Sequence, residues 1–255
     1  MAKATWMCGV AAALALAQVS TAHAEESSAL RILKAMTDHV STQAVLSAKY
    51  ESDVEIVTPS LEKIQFSASG DVALSRPDKF RVSRTGGYAD VEIVSDGSTV
   101  TVNDRDGKRF AQVQATGGFD QLVDRLRTDL LVEIPGADLL LSNAFEELTS
   151  GVIEAKVIGY GVVDGVECDH LAFRNLDTDW QIWVESGGRP LPRKYVITSK
   201  TVATAPQYTL RLRDWKTEVV AAEAFKFTPP DGSTRVEVTS LHVDEVPAAT
   251  SGGKQ

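Results

Sequence analysis

The spacing of apolar residues changes from a helical to a strand period early in the chain. Near the start they recur every three or four positions, which predicts one amphipathic helix over 27–40. From about residue 54 they alternate with polar residues instead, as half-buried strands require. Asp-Gly pairs at 96–97 and 106–107 fit tight hairpin turns between such strands. The strand-like runs lie at about 54–56, 64–74, 79–84, 89–95, 99–103 and 109–114.

A helical insertion interrupts the strand pattern at about 117–150. Its first apolar stripe consists of Phe119, Leu122, Val123, Leu126 and Leu130. A second helix is predicted from Ala137 to Leu148, after Pro135, and is notably apolar at Leu139, Leu140, Leu141 and Phe145. Strands resume at about 152–163, 166–173, 180–185, 194–200 and 207–215, and the segment 233–243 adds a candidate edge strand.

This order of elements predicts an α+β, mainly β, fold with one large curved antiparallel sheet and helices on one of its faces. One strand is apolar on both sides, because Trp180, Ile182 and Val184 share a face while Trp183 points to the other. A sheet that holds an internal hydrophobic cavity would explain this pattern. Packing on both sides of the sheet would explain it equally well.

The amino-terminal residues predict export. Residues 1–24 combine Lys3, a short apolar run and Ala22-His23-Ala24, which is typical of a cleavable signal peptide and too short for a membrane span. We expect a periplasmic protein with a single domain over 25–246 and a disordered tail at 247–255. Loss of Lys3 takes the net charge from -9 to -10, which disfavours nucleic acid as a partner. We expect a monomer.

Candidate chemistry is sparse. The chain has neither a G-x-S-x-G nucleophile motif nor an H-E-x-x-H zinc motif, so we expect no enzyme activity, no cofactor and no metal. Cys168 is the only cysteine after the signal, and it lies two residues from His170 on a strand, where both side chains share a face. Two metal ligands are one interpretation of this pair. A small buried thiol beside a hydrogen-bonded histidine is the other.

Three blocks of sequence carry a resemblance to a known family. Residues 70–81 read GDVALSRPDKFR, 94–100 read VSDGSTV, and 224–232 read AFKFTPPDG. Their order and spacing resemble the LolA/LolB-like periplasmic lipoprotein carriers. The runs DGVECDHLAFR (164–174), DWQIW (179–183) and RPLPRK (189–194) resemble more closely an uncharacterised family of predicted periplasmic proteins in the same superfamily. This second resemblance covers nearly the whole chain after residue 24.

The resemblance implies an unclosed β-barrel whose concave mouth is covered by helices and whose cavity takes acyl chains. It also implies that Arg76 holds the helical lid closed through hydrogen bonds to the lid backbone, and that Phe80 lines the cavity. Without it, Arg76 could simply end a strand facing solvent, and Phe80 could be ordinary core. The predicted ligand and lid residues are Arg76, Phe80, Leu122, Leu126, Leu139, Leu140, Phe145, Trp180 and Ile182.

Two functions follow from the resemblance. The first is a non-enzymatic periplasmic carrier that holds an acyl chain or a lipoprotein on the concave face of the sheet. The alternative is an envelope regulatory module that senses or binds a partner protein, such as a membrane regulator, without transporting lipid.

Overall fold

The computed structural model describes residues 26–130, 132, 134, 136–241 and 243–246. The predicted signal peptide, the predicted tail and Pro135 lie outside the described residues. In the part that is described, no helix combines the length and the apolar character needed to cross a membrane.

The described residues form three α-helices and twelve strands. The helices are α1 (26–41), α2 (Phe119–Thr128) and α3 (Ala144–Thr149). The first six strands are β1 (Val45–Val57), β2 (Lys63–Ser75), β3 (Lys79–Gly86), β4 (Asp90–Asp96), β5 (Thr99–Asp104) and β6 (Arg109–Gln114). The others are β7 (Glu154–Val163), β8 (Val166–Arg174), β9 (Thr178–Glu185), β10 (Pro192–Ser199), β11 (Gln207–Lys216) and β12 (Thr234–Arg235). Short 3₁₀ turns occupy Ala137–Leu139, Ala222–Phe225 and Val238–Ser240.

All twelve strands form one sheet, in the order β12-β6-β5-β4-β3-β2-β1-β11-β10-β9-β8-β7. The two halves of the chain meet where β1 pairs antiparallel with β11, with Tyr50 opposite Leu212. Neighbouring strands are otherwise antiparallel, except that β12 runs parallel to β6. The sheet does not close, because β7 and β12 stand at its two ends. The predicted fold class, an unclosed mainly β half-barrel with helices on one face, is confirmed.

One face of the sheet packs against the helices, and we call it the inner face. Its alternating side chains include Leu46, Leu74, Phe80, Ile182 and Leu210, all of them buried. They form one continuous core with the stripe of α1, in which Leu33, Met36 and Val40 are buried and Leu30 is partly buried. The amphipathic pattern at the start of the chain therefore covers the sheet, as its spacing predicted.

The prediction of one continuous helix over 137–148 is wrong. The segment divides into a 3₁₀ turn, Ala137–Leu139, and the short α3, with Ser142 between them. Leu139, Leu140 and Leu141 are all buried. Three consecutive residues of an α-helix point in directions about 100° apart, so they cannot all face one core. The backbone turns instead, and Asp120 of α2 accepts a hydrogen bond from the Ser142 backbone N–H at 3.2 Å.

The segment 233–243 contributes less strand than predicted. Only Thr234 and Arg235 pair with β6, and a 3₁₀ turn follows. The residues that precede Thr234 cover the outer face of the sheet, which is opposite the inner face. There the Phe227 ring lies 5.2 Å from the Phe110 ring. A short parallel pairing is sufficient to occupy this edge of the sheet.

Candidate functional site

Arg76 joins α1 to the helical insertion. It directly follows β2, and its Nε donates a hydrogen bond to the Gln43 carbonyl oxygen, just after α1, at 3.2 Å. Its Nη2 donates to the carbonyl oxygen of Leu140, in the insertion, at 2.6 Å. Burial lowers the pKa of Arg76 and the Asp120 carboxylate raises it, but an arginine keeps its charge in either case. A charged donor therefore bridges two neutral carbonyls that belong to different elements.

Further polar contacts attach the insertion to its surroundings. The Phe119 N–H donates to the Pro77 carbonyl oxygen at 2.7 Å and fixes the start of α2. The Asp120 carboxylate accepts hydrogen bonds from the backbone and the hydroxyl of Ser142. Arg127 pairs with Asp138 at 2.9 Å, with both side chains about two-fifths exposed. Exposed ion pairs contribute little, so the half-buried Arg76 is the strongest single polar tie that we find at this site.

The insertion lies directly on the inner face. The Phe119 and Phe80 rings meet edge to face at a centroid distance of 5.5 Å. Gly136 has φ +70°, and a Cβ at this position would lie 2.5 Å from Leu210 Cδ2 of β11. The backbone of the insertion thus approaches the Leu210 side chain so closely that a larger residue at position 136 would have to displace it. Among the predicted cavity residues, Phe80, Leu122, Leu126, Leu139, Leu140 and Ile182 are all enclosed in this core.

Aromatic rings extend the inner face toward the second half of the sheet. Trp180 stacks on Phe173 at 3.9 Å and meets Tyr195 edge to face at 5.7 Å. Its indole N–H donates to Asn175 Oδ1 at 3.2 Å, so its one polar atom is satisfied. Trp180 also lines a surface pocket of about 190 Å³.

The last predicted site residue, Phe145, is partly buried at the seam between α1 and α3. It lines a groove of about 550 Å³ together with Leu30, Arg31 and Lys34 of α1. The Lys34 ammonium lies 5.4 Å from the centre of the Phe145 ring. This groove opens to solvent and does not reach into the core. The insertion remains packed on the inner face of the sheet.

The outer face carries the second apolar side of β9. Trp183 stacks on His170 at 4.0 Å, and the Lys194 ammonium lies 4.6 Å from the Trp183 ring. The prediction that this strand is apolar on both faces is confirmed. Its outer tryptophan belongs to a surface stack and not to the packing under the insertion.

Cys168 and His170 are each engaged separately. The Cys168 thiol is buried and donates to the Val166 carbonyl oxygen at 3.4 Å, and burial raises its pKa. His170 Nε2 lies 2.9 Å from Gln181 Oε1. Across the described residues, no cluster of three or more His, Cys, Asp or Glu side chains could hold a metal ion. This environment disfavours the thiolate that nucleophilic chemistry needs.

Two groups of residues at this site escaped sequence reasoning. Asp120 and Ser142 meet across the insertion, and no local pattern connects them. Arg84 is different, because Phe80, Val82 and Arg84 alternate on one side of β3. An arginine at the third inward position of a strand is a signal that could have been read from the sequence.

A family model matches residues 29–239, and its description is "Predicted periplasmic protein (DUF2092)". The chain belongs to this family. DUF2092 membership confirms the predicted resemblance and the periplasmic location. No curated protein matches the chain.

Several solved structures are similar in chain path. LppX, a lipoprotein of Mycobacterium tuberculosis, is 12% identical over 77% of this chain and 99% of its own, with a TM-score of 0.48. A LolA superfamily protein from Nitrosomonas europaea is 11% identical over 78% and 97%, with a TM-score of 0.34. A chain of the Pseudomonas aeruginosa MucA/MucB complex is 12% identical over 79% and 61%, with a TM-score of 0.41. Similarity at this level carries no argument about function.

Proposed function

We propose that this DUF2092 protein is a non-enzymatic periplasmic carrier. Its ligand is the acyl chain of a lipid or lipoprotein, held between the inner face of the sheet and the helical insertion. The insertion acts as a lid, with Arg76 as its latch. Binding requires no covalent chemistry, cofactor or metal.

The observation that carries this proposal is the position of Arg76 between two elements that cover the same apolar surface. Its side chain ties Gln43, after α1, to Leu140, in the insertion. Breaking these two hydrogen bonds removes the polar link that Arg76 makes between the Leu140 turn and the end of α1. The remaining ties to the insertion include exposed pairs, which contribute about 1 kcal/mol or less each. A lid with one strong latch can open without unfolding the sheet.

The surfaces that would separate on opening match a hydrocarbon ligand. The insertion contributes Leu122, Leu126, Leu139 and Leu140 to the core, and the sheet contributes Phe80, Trp180 and Ile182. Exposing apolar surface to water costs about 25 cal/mol per Å². An acyl chain that entered as the lid lifted would restore that burial, whereas a polar ligand would not.

The groove between α1 and α3 supplies the entrance. Leu30 and Phe145 give it an apolar lining. Arg31, Lys34 and Asp38 also line it, and Lys34 and Asp38 form an ion pair at 2.7 Å. The groove lies at the seam that would widen when the insertion moves away from α1.

The test is ligand exchange in the protein purified from the periplasm. Native mass spectrometry follows uptake and release of palmitate by the wild type, by Arg76→Met and by Arg213→Met. Arg213 is a matched control, because it is an exposed arginine whose ion pair with Glu51 at 2.8 Å belongs to β11 and β1. We expect wild type and the control to bind and release palmitate alike, and Arg76→Met to release it faster. A protein that takes up no palmitate in any of the three forms contradicts the carrier proposal and favours the regulatory alternative.

A further inference from the structure

The inner face has a second polar end, away from Arg76. Arg84 follows Phe80 by four residues on the same side of β3, which places the two roughly 13 Å apart along the strand. The Arg84 side chain is buried, with 6% of its surface exposed. Val82 lies between them on the same side and is also buried. A guanidinium therefore stands at the end of an apolar strip.

The chain's own carboxy-terminal segment covers this guanidinium. We call residues 243–246 the carboxy-terminal strap. Arg84 Nη2 donates hydrogen bonds to the carbonyl oxygens of Val243 and of Asp244, the latter at 3.0 Å. Glu245 Oε1 accepts a long hydrogen bond of 3.4 Å from the Ser52 hydroxyl. The strap thus presents two carbonyl dipoles and one carboxylate to the inner face.

Other polar groups of the inner face converge on the same place. The Tyr208 hydroxyl is buried and has no hydrogen-bond partner within 3.5 Å. Burial, and after it the Glu245 carboxylate, raises the pKa of Tyr208, whereas Arg84 and Ser52 lower it. The neighbouring Tyr50 hydroxyl is satisfied by the Ser83 carbonyl oxygen at 2.8 Å. The Tyr208 hydroxyl therefore has at best a weak hydrogen bond to the Ser52 hydroxyl, and the Arg84 charge acts on it as well.

We propose that Arg84, Tyr208 and Ser52 form the binding site for the anionic head group of the ligand, and that the carboxy-terminal strap occupies this site until the ligand displaces it. The proposal rests on the acyl-carrier function proposed above. The head group is a carboxylate or a phosphate, since both accept several hydrogen bonds and carry the negative charge that would take the place of the Glu245 carboxylate. The acyl chain then runs from Arg84 past Val82 toward Phe80.

The strap is suited to displacement. The contacts that hold it include two hydrogen bonds to Arg84, one long contact to Ser52 and the packing of Val243 against the core. None of the four strap residues is fully buried, and segments of this kind open locally without global unfolding. A site that is free for only a fraction of the time binds its ligand more weakly by that fraction. Loosening the strap should therefore raise affinity without changing the site itself.

The experiment compares three probes on the full chain purified from the periplasm: palmitate, hexadecan-1-ol and inorganic phosphate. The loosened strap is the double variant Val243→Ser/Glu245→Ala, and Glu237→Ala is its control, an exposed carboxylate just upstream. We expect the double variant to bind palmitate about tenfold more tightly than wild type, with hexadecan-1-ol unchanged. The control should match wild type with both amphiphiles.

Tyr208→Phe tests the site without removing a buried charge, which could prevent folding. It keeps the ring and deletes the hydroxyl, so palmitate should bind about tenfold more weakly while hexadecan-1-ol binds as before. Equal effects on both amphiphiles, or none on either, overturn the head-group site but leave the carrier function intact. If inorganic phosphate binds as tightly as palmitate, the head-group site is overturned in favour of a site for free anions. Failure of both amphiphiles to bind any form overturns the site and the carrier function together.

Discussion

Replacing Arg76 by methionine should open the lid without unfolding the sheet. Methionine keeps a long apolar stem but cannot donate to the carbonyl oxygens of Gln43 and Leu140. The covalent neighbours of Arg76 stay in place, because its backbone N–H is bonded to the Ala44 carbonyl oxygen at 2.9 Å. The perturbation is therefore confined to the link between α1 and the insertion.

The expected loss of free energy for lid closure follows from the two hydrogen bonds of Arg76. A hydrogen bond from a charged group contributes about 1.5–3 kcal/mol when it is well formed and desolvated. Here one bond is short at 2.6 Å and the other long at 3.2 Å, and the guanidinium is only half-buried. We therefore take about 1 kcal/mol for each bond, below the range for desolvated charged groups, and about 2 kcal/mol for the pair. This corresponds to a roughly 30-fold larger population of the open lid.

Amide hydrogen exchange measures that population. The N–H groups of Leu139 and Leu140 are bonded to the carbonyl oxygens of Gly136 and Ala137, at 3.1 and 2.8 Å. Their exchange should accelerate about 30-fold in Arg76→Met if opening of the lid exposes them. Amides of the β1–β11 pairing should keep their protection, as should all amides in the control Arg213→Met. Unchanged protection of the Leu139–Leu140 turn in a folded variant would refute the latch.

Three further predictions test the packing and electrostatics around the site. Gly70→Ala should lower the free energy of unfolding in urea by about 3 kcal/mol or more, because its Cβ would lie 1.8 Å from the Ser83 carbonyl oxygen. A Cβ at Gly87 would have no atom within 4 Å, so Gly87→Ala should change the free energy of unfolding by less than about 0.5 kcal/mol. Equal losses of stability in the two variants would contradict the close packing at Gly70. Because Cys168 is buried with a raised pKa, iodoacetamide should label it only at the rate of unfolding, and rapid labelling of the native protein would contradict this. Burial raises the pKa of Asp96, but the hydrogen bonds within its turn outweigh burial, so the pKa is lowered from its usual value of 3.8. The ionised Asp96 therefore stabilises the fold above about pH 3.8, and this contribution is lost as the pH falls below that value. Asp96→Asn should flatten the acid limb of the stability curve, and an unaltered limb would contradict the assignment.

The strands could be predicted from sequence because their signal is local. The run predicted at 109–114 is β6 with the same bounds. The run predicted at 79–84 is β3, which continues two residues further, to Gly86. A two-residue period, broken by Asp-Gly turns, reports directly which side chains face the core. The same logic placed Ile182 inside and Trp183 outside.

The insertion shows where local pattern fails. Most of its apolar residues are buried, with Leu130 and Phe145 only partly so, but the helix predicted over 137–148 does not form. Helical periodicity constrains a segment only when one face is buried, and here the consecutive Leu139, Leu140 and Leu141 are all enclosed. Contacts with Asp120 and with Leu210 select a turn instead. No feature within residues 137–148 encodes those partners.

The sequence by itself determined the two runs of strands, the helical insertion between them and most of the side chains that face inward. The tertiary structure alone decided that β1 pairs with β11, that Arg76 reaches a carbonyl oxygen 64 residues away, and that the carboxy-terminal strap reaches Arg84. Periodicity is a property of neighbouring residues, whereas these contacts depend on how the whole chain buries its apolar surface. Backbone carbonyls are present at every position, so a sequence cannot mark which of them an arginine will find.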